Sequence, residues 1–465
     1  MCFENVSEPF LRSVSKYPNR LAVIFKQRKL TYAQLNARIN QLVGILKKEY
    51  AIVPGSKVAY LLPNSFEVLE VYYAIQKIGA IAVPLNFKLI PREIKYLTEA
   101  CDAELLIFAF QFHDDVKEAG LSSDLQLASF GGAGVGVGDL DALQTLASAD
   151  EPLLYCDIEA VSRIQYTGGS TGLPKGAIRT HAADLAELKG VVASNHIDRD
   201  RKKVVLIQCP LEHHGGHSWF TSALATGAAL VICDAFSAEG ILDKIERFKV
   251  SYMILLPPST YLRLLDCPSI DDYDLSSVRL VQSAAGATTK KVISKIFRYF
   301  PHAVLNYGWG QTESGLGTSL VIERCWMTEN SEKLKSIGTA MLGAKLRIVD
   351  ENGKDVKRGQ TGEALIKSEA VMKGYYGQTE LTKQAFTDDQ WLRTGDMMMQ
   401  DDDGFYYLRS RKKDMVKSGG ENVFVDEVER TINSNPDVDD CVVFGTEDEL
   451  MMEAIAAVVQ IRVGS

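Results

Sequence analysis

Short apolar runs recur through the first 300 residues, at 21–25, 57–62, 80–85, 105–110, 203–211, 228–236, 250–256 and 279–284. Each has strand length, and helical patterns lie between many of them. The clearest of these spans 31–50, where Leu35, Ile39, Leu42 and Leu46 fall three or four residues apart and make one apolar stripe. Thr31 followed by Gln34 reads as a capping box at its start. Pro91, ahead of Glu93, Ile94, Tyr96 and Leu97, suits the first position of another helix. Strands that are apolar nearly throughout, with helices between them, imply parallel sheets covered on both faces. An α/β fold of more than one domain is expected for 465 residues.

Beyond about residue 345 the texture changes. Residues 345–349, then Glu351-Asn352-Gly353-Lys354, then Val356 predict a hairpin with an Asn-Gly turn. Further short strands at 362–367 and 404–408 point to an antiparallel region. A helix is expected at 427–433 and strands at 441–445 and 454–463.

Composition excludes several classes. With 46% hydrophobic and 24% charged residues the chain is neither disordered nor collagen-like. A net charge of −9 argues against a surface that coats nucleic acid. No apolar run nears the ~18 residues of a spanning helix, and the first ten residues, with Glu4 and Glu8, do not form a signal peptide. Eight cysteines are scattered with no C-x-x-C pair, the usage of reduced thiols in a cytoplasmic setting.

Residues 166–176, YTGGSTGLPKG, follow a strand-like segment at 161–165. Gly168, Gly169 and Gly172 free the backbone to turn N–H groups toward an anion. Thr167, Ser170 and Thr171 add hydroxyl donors, and Lys175 adds a point charge suited to phosphate. The segment is not a Walker A loop, because no Gly-Lys-Ser/Thr occurs. A second glycine-rich stretch, 131–138 (GGAGVGVG), never gives G-x-G-x-x-G and has no strong strand–helix context, so a surface loop is expected. In PLEHHGGHSWF (210–220), His213, His214 and His217 could suggest a metal site. Gly215-Gly216 argues against the helix that would put His213 and His217 on one face.

Three further segments complete a set: NYGWGQTESG (306–315), WLRTGD (391–396) and RSRKKDMVKSGGENVFVDEVE (409–429). With 166–176, and in this order, they resemble the adenylate-forming superfamily of acyl-CoA synthetases, nonribosomal-peptide adenylation domains and luciferases. The resemblance extends from about Tyr32 to the last residue. It implies two stacked α/β subdomains and a small antiparallel β part in an AMP-binding domain, 1–412, followed by an α+β C-terminal lid, 413–465. It implies ATP, Mg²⁺ and coenzyme A. A carboxylate, ionised at neutral pH, attacks the α-phosphate of ATP, and a thiol then takes the acyl group. The 167–175 loop would close on the β- and γ-phosphates. Thr312 would meet the α-phosphate, and Glu313 would hold Mg²⁺. Trp309 stands where the family usually has a Tyr stacked on adenine, beside Gly310. Asp396 would accept from the ribose hydroxyls, and Arg411 would contact ribose or phosphate. His213 would border the acyl pocket, with Ser283, Ala284, Gly286 and Gly308 as its small-residue floor. Lys413 would be the hinge, and Gly419 and Gly420 would flank the thiol channel.

Amino-acid-activating relatives hold the α-ammonium with an Asp in the histidine segment, and no Asp occurs between 210 and 225. An unpartnered buried ammonium is costly, so the expected substrate is an aryl or alkyl acid. The alternatives are an acyl-AMP ligase that loads a carrier-protein phosphopantetheine, and a non-catalytic acyl- or nucleotide-binding protein. The second is motivated by the last lysine being Lys417. The family carries a lysine in a P-K-x-x-x-G-K-like segment beyond the strand at 454–463, so a partial lid and slow adenylation are expected.

Overall fold

The computed structural model describes residues 3–168, 174–194, 203–256, 258–284, 288–329, 332–412, 415–418, 421–435, 437–448 and 452–462. Two large sheets organise the first 340 residues. One has eight strands in the order Gly374–Tyr375, Lys175–Thr180, Val161–Thr167, Ile81–Pro84, Lys57–Leu61, Leu105–Ala109, Gln126–Phe130 and Gly138–Asp139. It is parallel from Val161–Thr167 onward and antiparallel at the Lys175–Thr180 edge. The other has nine strands: Thr339–Ala340, Thr318–Ile322, Val304–Tyr307, Leu280–Ser283, Tyr252–Ile254, Val204–Ile207, Ala229–Ile232, Leu21–Phe25 and Arg28–Thr31. Its six central strands, Val304–Tyr307 through Leu21–Phe25, run parallel.

Alternation along each strand feeds two cores. Leu105 and Ile107 face a central core shared with Val205, Ile207 and Leu230 of the other sheet, and Leu106 and Phe108 face an outer core with Ile94 and Leu97. The central core also takes the helices Tyr32–Glu49, Phe66–Ile78, His181–Ser194 and His214–Ala225. Helices Ala238–Phe248 and Lys290–Tyr299 cover the far face of the nine-stranded sheet. Each sheet is thus buried on both sides, and most of its central parallel strands are largely apolar. The expected start signals hold. Gln34 N–H donates to Thr31 Oγ1 (3.2 Å) and Thr31 N–H to Gln34 Oε1 (2.9 Å), and Pro91 opens Pro91–Ala100.

Three local expectations change. His214–Ala225 is helical in spite of Gly215 and Gly216. A Cβ on Gly216 would lie 2.0 Å from the Pro210 carbonyl oxygen, so glycine is there to let the helix start against its own approach loop. Segment 131–137 is a loop as expected, but strand Gln126–Phe130 precedes it and helix Leu140–Leu146 follows the short strand Gly138–Asp139. The turn at Asn352-Gly353 forms, with Gly353 at φ +78°, yet the return leg gives only the Val349–Asp355 bridge. Lys345–Val349 pairs instead with Thr361–Lys367, in an antiparallel sheet continued by Leu392–Gln400 and Tyr406–Arg411.

The last part has its own antiparallel sheet: Glu421–Phe424, Met415–Ser418, Met452–Ile461 and Val438–Asp448. Val416, Val425 and Val443 form its small core with helix Val425–Ile432. Among the described residues no helix is long and apolar enough to cross a membrane, and no disulfide joins the described cysteines.

Candidate active site

The carboxyl ends of the parallel strands in both sheets converge on one seam, where open α/β sheets bind ligands. Asn64, beyond strand Lys57–Leu61, joins the two sides. Its Nδ2 donates to the Cys209 and Cys233 carbonyls (3.1 and 3.0 Å), and its Oδ1 accepts from Leu211 N–H (2.8 Å). Sequence-predicted residues gather here in two groups, and a third group of buried charges lies beneath them.

In the first, the glycine-rich segment connects two antiparallel strands, Val161–Thr167 and Lys175–Thr180, with Thr167 opposite Lys175. Strand Lys175–Thr180 rather than a helix follows it, so the described groups here that could meet an anion are Thr167 and Lys175 and no helix terminus. Gly168 is exposed; Gly169, Ser170, Thr171 and Gly172 lie outside the described residues. Thr167 Oγ1 donates to Glu313 Oε1 (3.4 Å), as does Tyr375 Oη (3.1 Å). Lys175 Nζ stands 5.6 Å from the centre of the Tyr375 ring. Burial, helped by the charge of Glu313, pushes the Tyr375 hydroxyl upward and keeps it a donor. Among the described residues no cluster of three or more His, Cys, Asp or Glu could by itself cage a metal. Glu313, Thr167 and Tyr375 nevertheless present oxygens only, a donor set that fits Mg²⁺ completed by water and phosphate.

The second group surrounds Asp396, which is 1% exposed. Trp309 Nε1–H and Gln311 Nε2–H both donate to Oδ2 (2.7 and 2.9 Å). Arg411, its cross-strand neighbour, places Nε 2.8 Å from Oδ1. Gly308 and Gly310 are glycine because a Cβ at either would lie 2.6 Å from a carbonyl oxygen, of Thr318 and Gly315 respectively. The space beside them is filled by the chain's own backbone.

The third group is a fully buried ion cluster under the other two. Arg163 and Arg179, on the strands that flank the glycine-rich segment, face Asp184 and Glu187 on helix His181–Ser194. His214 accepts from Arg163 at Nδ1 (2.9 Å), so the ring is neutral, and its Nε2 lies 3.0 Å from Glu187 Oε1. Burial alone would raise Asp184, but the Arg163 and Arg179 guanidiniums outweigh it and hold the carboxyl well below the usual range. Glu187 is also held below the usual range, the Arg179 guanidinium outweighing its burial. Arg179 Nη1 also donates to the carbonyls of Thr312 (3.3 Å) and Ala370 (2.7 Å), and Met372 N–H donates to the Glu313 carbonyl (2.8 Å). The cluster therefore fixes the backbone on which Thr312 and Glu313 sit.

His213 caps helix His214–Ala225, its Nδ1 accepting from Gly215 N–H (3.2 Å). The ring is open to solvent, yet protein surrounds it closely enough for desolvation, with the charge of Arg163 nearby, to push it down to about 4. Ser283 is buried at the end of its strand, with Oγ 2.9 Å from Thr288 Oγ1, and Ala284 follows, half-buried. Gly286, Lys413, Gly419 and Gly420 lie outside the described residues. Sequence reasoning missed Tyr375, Gln311 and the whole ion cluster. The signal for the cluster was a charge, Arg163 or Arg179, inside each strand beside the glycine-rich segment.

Two stacked, mostly parallel sheets whose seam presents a glycine-rich hairpin, a Thr-Glu pair and a buried Asp define a nucleotide-dependent α/β enzyme. The AMP-binding enzyme family model matches residues 10–376, and the chain belongs to that family. It is 31% identical to an indoleacetate–CoA ligase of Aromatoleum aromaticum, over 98% of this chain and 88% of that one. It is 30% identical to 4-coumarate–CoA ligase 2 of Nicotiana tabacum, over 98% and 84%. The solved structure of the anthranilate CoA ligase AuaEII with anthranoyl-AMP matches at a TM-score of 0.88 and 27% identity, over 98% and 87%.

Proposed function

We propose that this chain is an ATP-dependent acid–thiol ligase that activates an aryl or alkyl carboxylate as its acyl-adenylate and transfers it to coenzyme A. The convergence of Thr167, Lys175, Glu313 and Asp396 on one seam carries this reading. Its support from relatives is that those named above join acids to coenzyme A; the carrier-protein alternative has no such support.

The acid's carboxylate oxygen bonds to the α-phosphorus, the bond to the bridging oxygen breaks, and pyrophosphate leaves. No proton moves, so the obstacle is an anion meeting a polyanion. Thr167, Lys175 and the hairpin backbone counter the β- and γ-phosphates, and Thr312 takes the α-phosphate. Glu313, steadied by Tyr375, holds Mg²⁺, which supplies charge neutralisation when bound. Asp396 and Arg411 take the ribose, Trp309 the base, and His213, Ser283 and Ala284 border the acid. Attack of a thiol sulfur on the acyl carbon then expels AMP. The assignment divides the chain into an AMP-binding domain, 1–412, and a C-terminal domain, 413–465.

A panel of carboxylic acids tested for ATP-dependent pyrophosphate release, then for thioester with coenzyme A, decides the matter. At least one acid should give both. Pyrophosphate release with no acid in the panel would refute acid activation, and adenylate without thioester would refute the acceptor.

A further inference from the structure

We infer that Trp309 is a positioning residue for ribose recognition: its indole N–H sets the carboxylate of Asp396 before nucleotide arrives. The inference rests on Asp396 being the ribose acceptor. Trp309 lies just past strand Val304–Tyr307, third in the nine-stranded sheet, and Asp396 on Leu392–Gln400 of the antiparallel sheet. The 2.7 Å bond from Nε1 to Oδ2 joins these two bodies through a residue pair that is 7% and 1% exposed.

The ring itself has little freedom. Trp309 N–H donates to Thr318 Oγ1 (3.2 Å), and its carbonyl accepts from the N–H groups of Gly317 and Thr318 (2.9 and 3.1 Å). On the ring edge away from the nitrogen, a Cβ on Gly317 would fall 2.5 Å from Cζ3, so Gly317 and the indole are in direct contact. The indole is thus clamped on both edges with its N–H aimed at Oδ2. Gln311 Nε2, tied to the Thr394 carbonyl (2.9 Å), reaches the same oxygen. Two fixed donors on Oδ2 and Arg411 on Oδ1 set the carboxylate plane, and a preset acceptor spends less binding free energy on ordering. A Phe or Tyr ring would keep a π-face but has no donor where Nε1 stands.

The test compares the affinity of wild type and Trp309→Phe for ATP and for 2′,3′-dideoxy-ATP. Wild type should favour ATP by at least about tenfold, and Trp309→Phe should cut that ratio by roughly fivefold to tenfold. Any change in stacking on the base should alter the affinity for both nucleotides equally and cancel in the ratio. In an Asp396→Ala background the Phe substitution should leave the ratio unchanged, because the two act through one interaction. A wild type that binds both nucleotides equally would overturn the ribose reading and this inference with it. A wild type that discriminates, with a Phe variant that keeps the full ratio while losing affinity for both, would overturn the inference alone. A measurement independent of the variant's folding is the indole ¹⁵N–¹H signal of Trp309, which should be slow to exchange and should shift in Asp396→Asn. A rapidly exchanging indole proton would overturn the proposal.

Discussion

Asp184→Asn should unfold this protein more easily than any surface change and should also slow acid activation. Asp184 accepts four hydrogen bonds on two oxygens: Ser162 Oγ (2.7 Å) and Arg163 Nε (3.1 Å) on Oδ2, Arg163 Nη2 (3.0 Å) and Arg179 Nε (2.7 Å) on Oδ1. With Glu187 it balances two guanidiniums that are at most 1% exposed, beside a neutral His214. The amide removes one charge, leaving the cluster at +1, and turns an N–H₂ toward an arginine. Breaking a buried pair on one side costs about 3–5 kcal/mol. Arg163, bonded to both oxygens of Asp184, would lose one of those bonds and keep Gln165 and His214 as its other side-chain partners. The pH dependence has a definite sign. Asp184 and Glu187 are both depressed in the folded state, so their stabilisation is complete above the unfolded values near 4 and fades as pH falls through the folded ones. The gap between wild type and variant should therefore be widest at neutral pH and narrow below about pH 4. Urea midpoints at pH 7 and pH 3 measure it. Coincident midpoints at pH 7 would show that the cluster contributes nothing and sink the argument. Where folded, the variant should release pyrophosphate more slowly, since Arg179 holds the Thr312 carbonyl.

Glu313→Gln should raise the Mg²⁺ concentration needed for half-maximal pyrophosphate release and lower the plateau; an unchanged Mg²⁺ titration would return Glu313 to a structural role. Asp396→Ala should weaken ATP and AMP by about 1.5–3 kcal/mol, roughly tenfold to a hundredfold, by calorimetry. It should also lower the unfolding midpoint, because the Trp309 and Gln311 donors lose their acceptor. Free α-amino acids should support no pyrophosphate exchange where aryl or alkyl acids do, and robust exchange with an amino acid would overturn the placement of the His213 segment. Glu212 is 4% exposed, neither carboxylate oxygen has a side-chain partner among the described residues, and burial pushes it from 4.5 up to about 7. A folded value above the unfolded one means stability is lost as pH rises from about 4.5 to 7. Glu212→Gln should flatten that slope, and equal slopes in the two proteins would contradict it.

The parts of this molecule that could be read from sequence are those governed by local rules. The stripe of Leu35, Ile39, Leu42 and Leu46 and the Thr31–Gln34 box each depend on residues within one or two turns, and both appear as expected. The four motifs were visible because each keeps its chemistry in a short window, and the fold then draws Thr167 to Glu313 across 146 positions. What stayed hidden depends on contacts between windows. Gly216 reads as a helix breaker until Pro210 is seen pressed against it. The propensity cost of about 1 kcal/mol is then smaller than the cost of a clash any other residue would make. The flanking glycines of Trp309 read as room for a substrate, while the atoms that exclude a side chain there belong to 315–318. Arg163 and Arg179 look out of place in apolar strands because their counter-charges, Asp184 and Glu187, sit on a helix that follows the second strand. The segment 210–225 lacks an Asp but holds Glu212, a carboxylate buried within it. In each case a residue that violates a local preference marks a place where two distant segments meet. Such violations cluster in this chain along the seam between the sheets, so the same misfits that obscure the fold from sequence point toward the site.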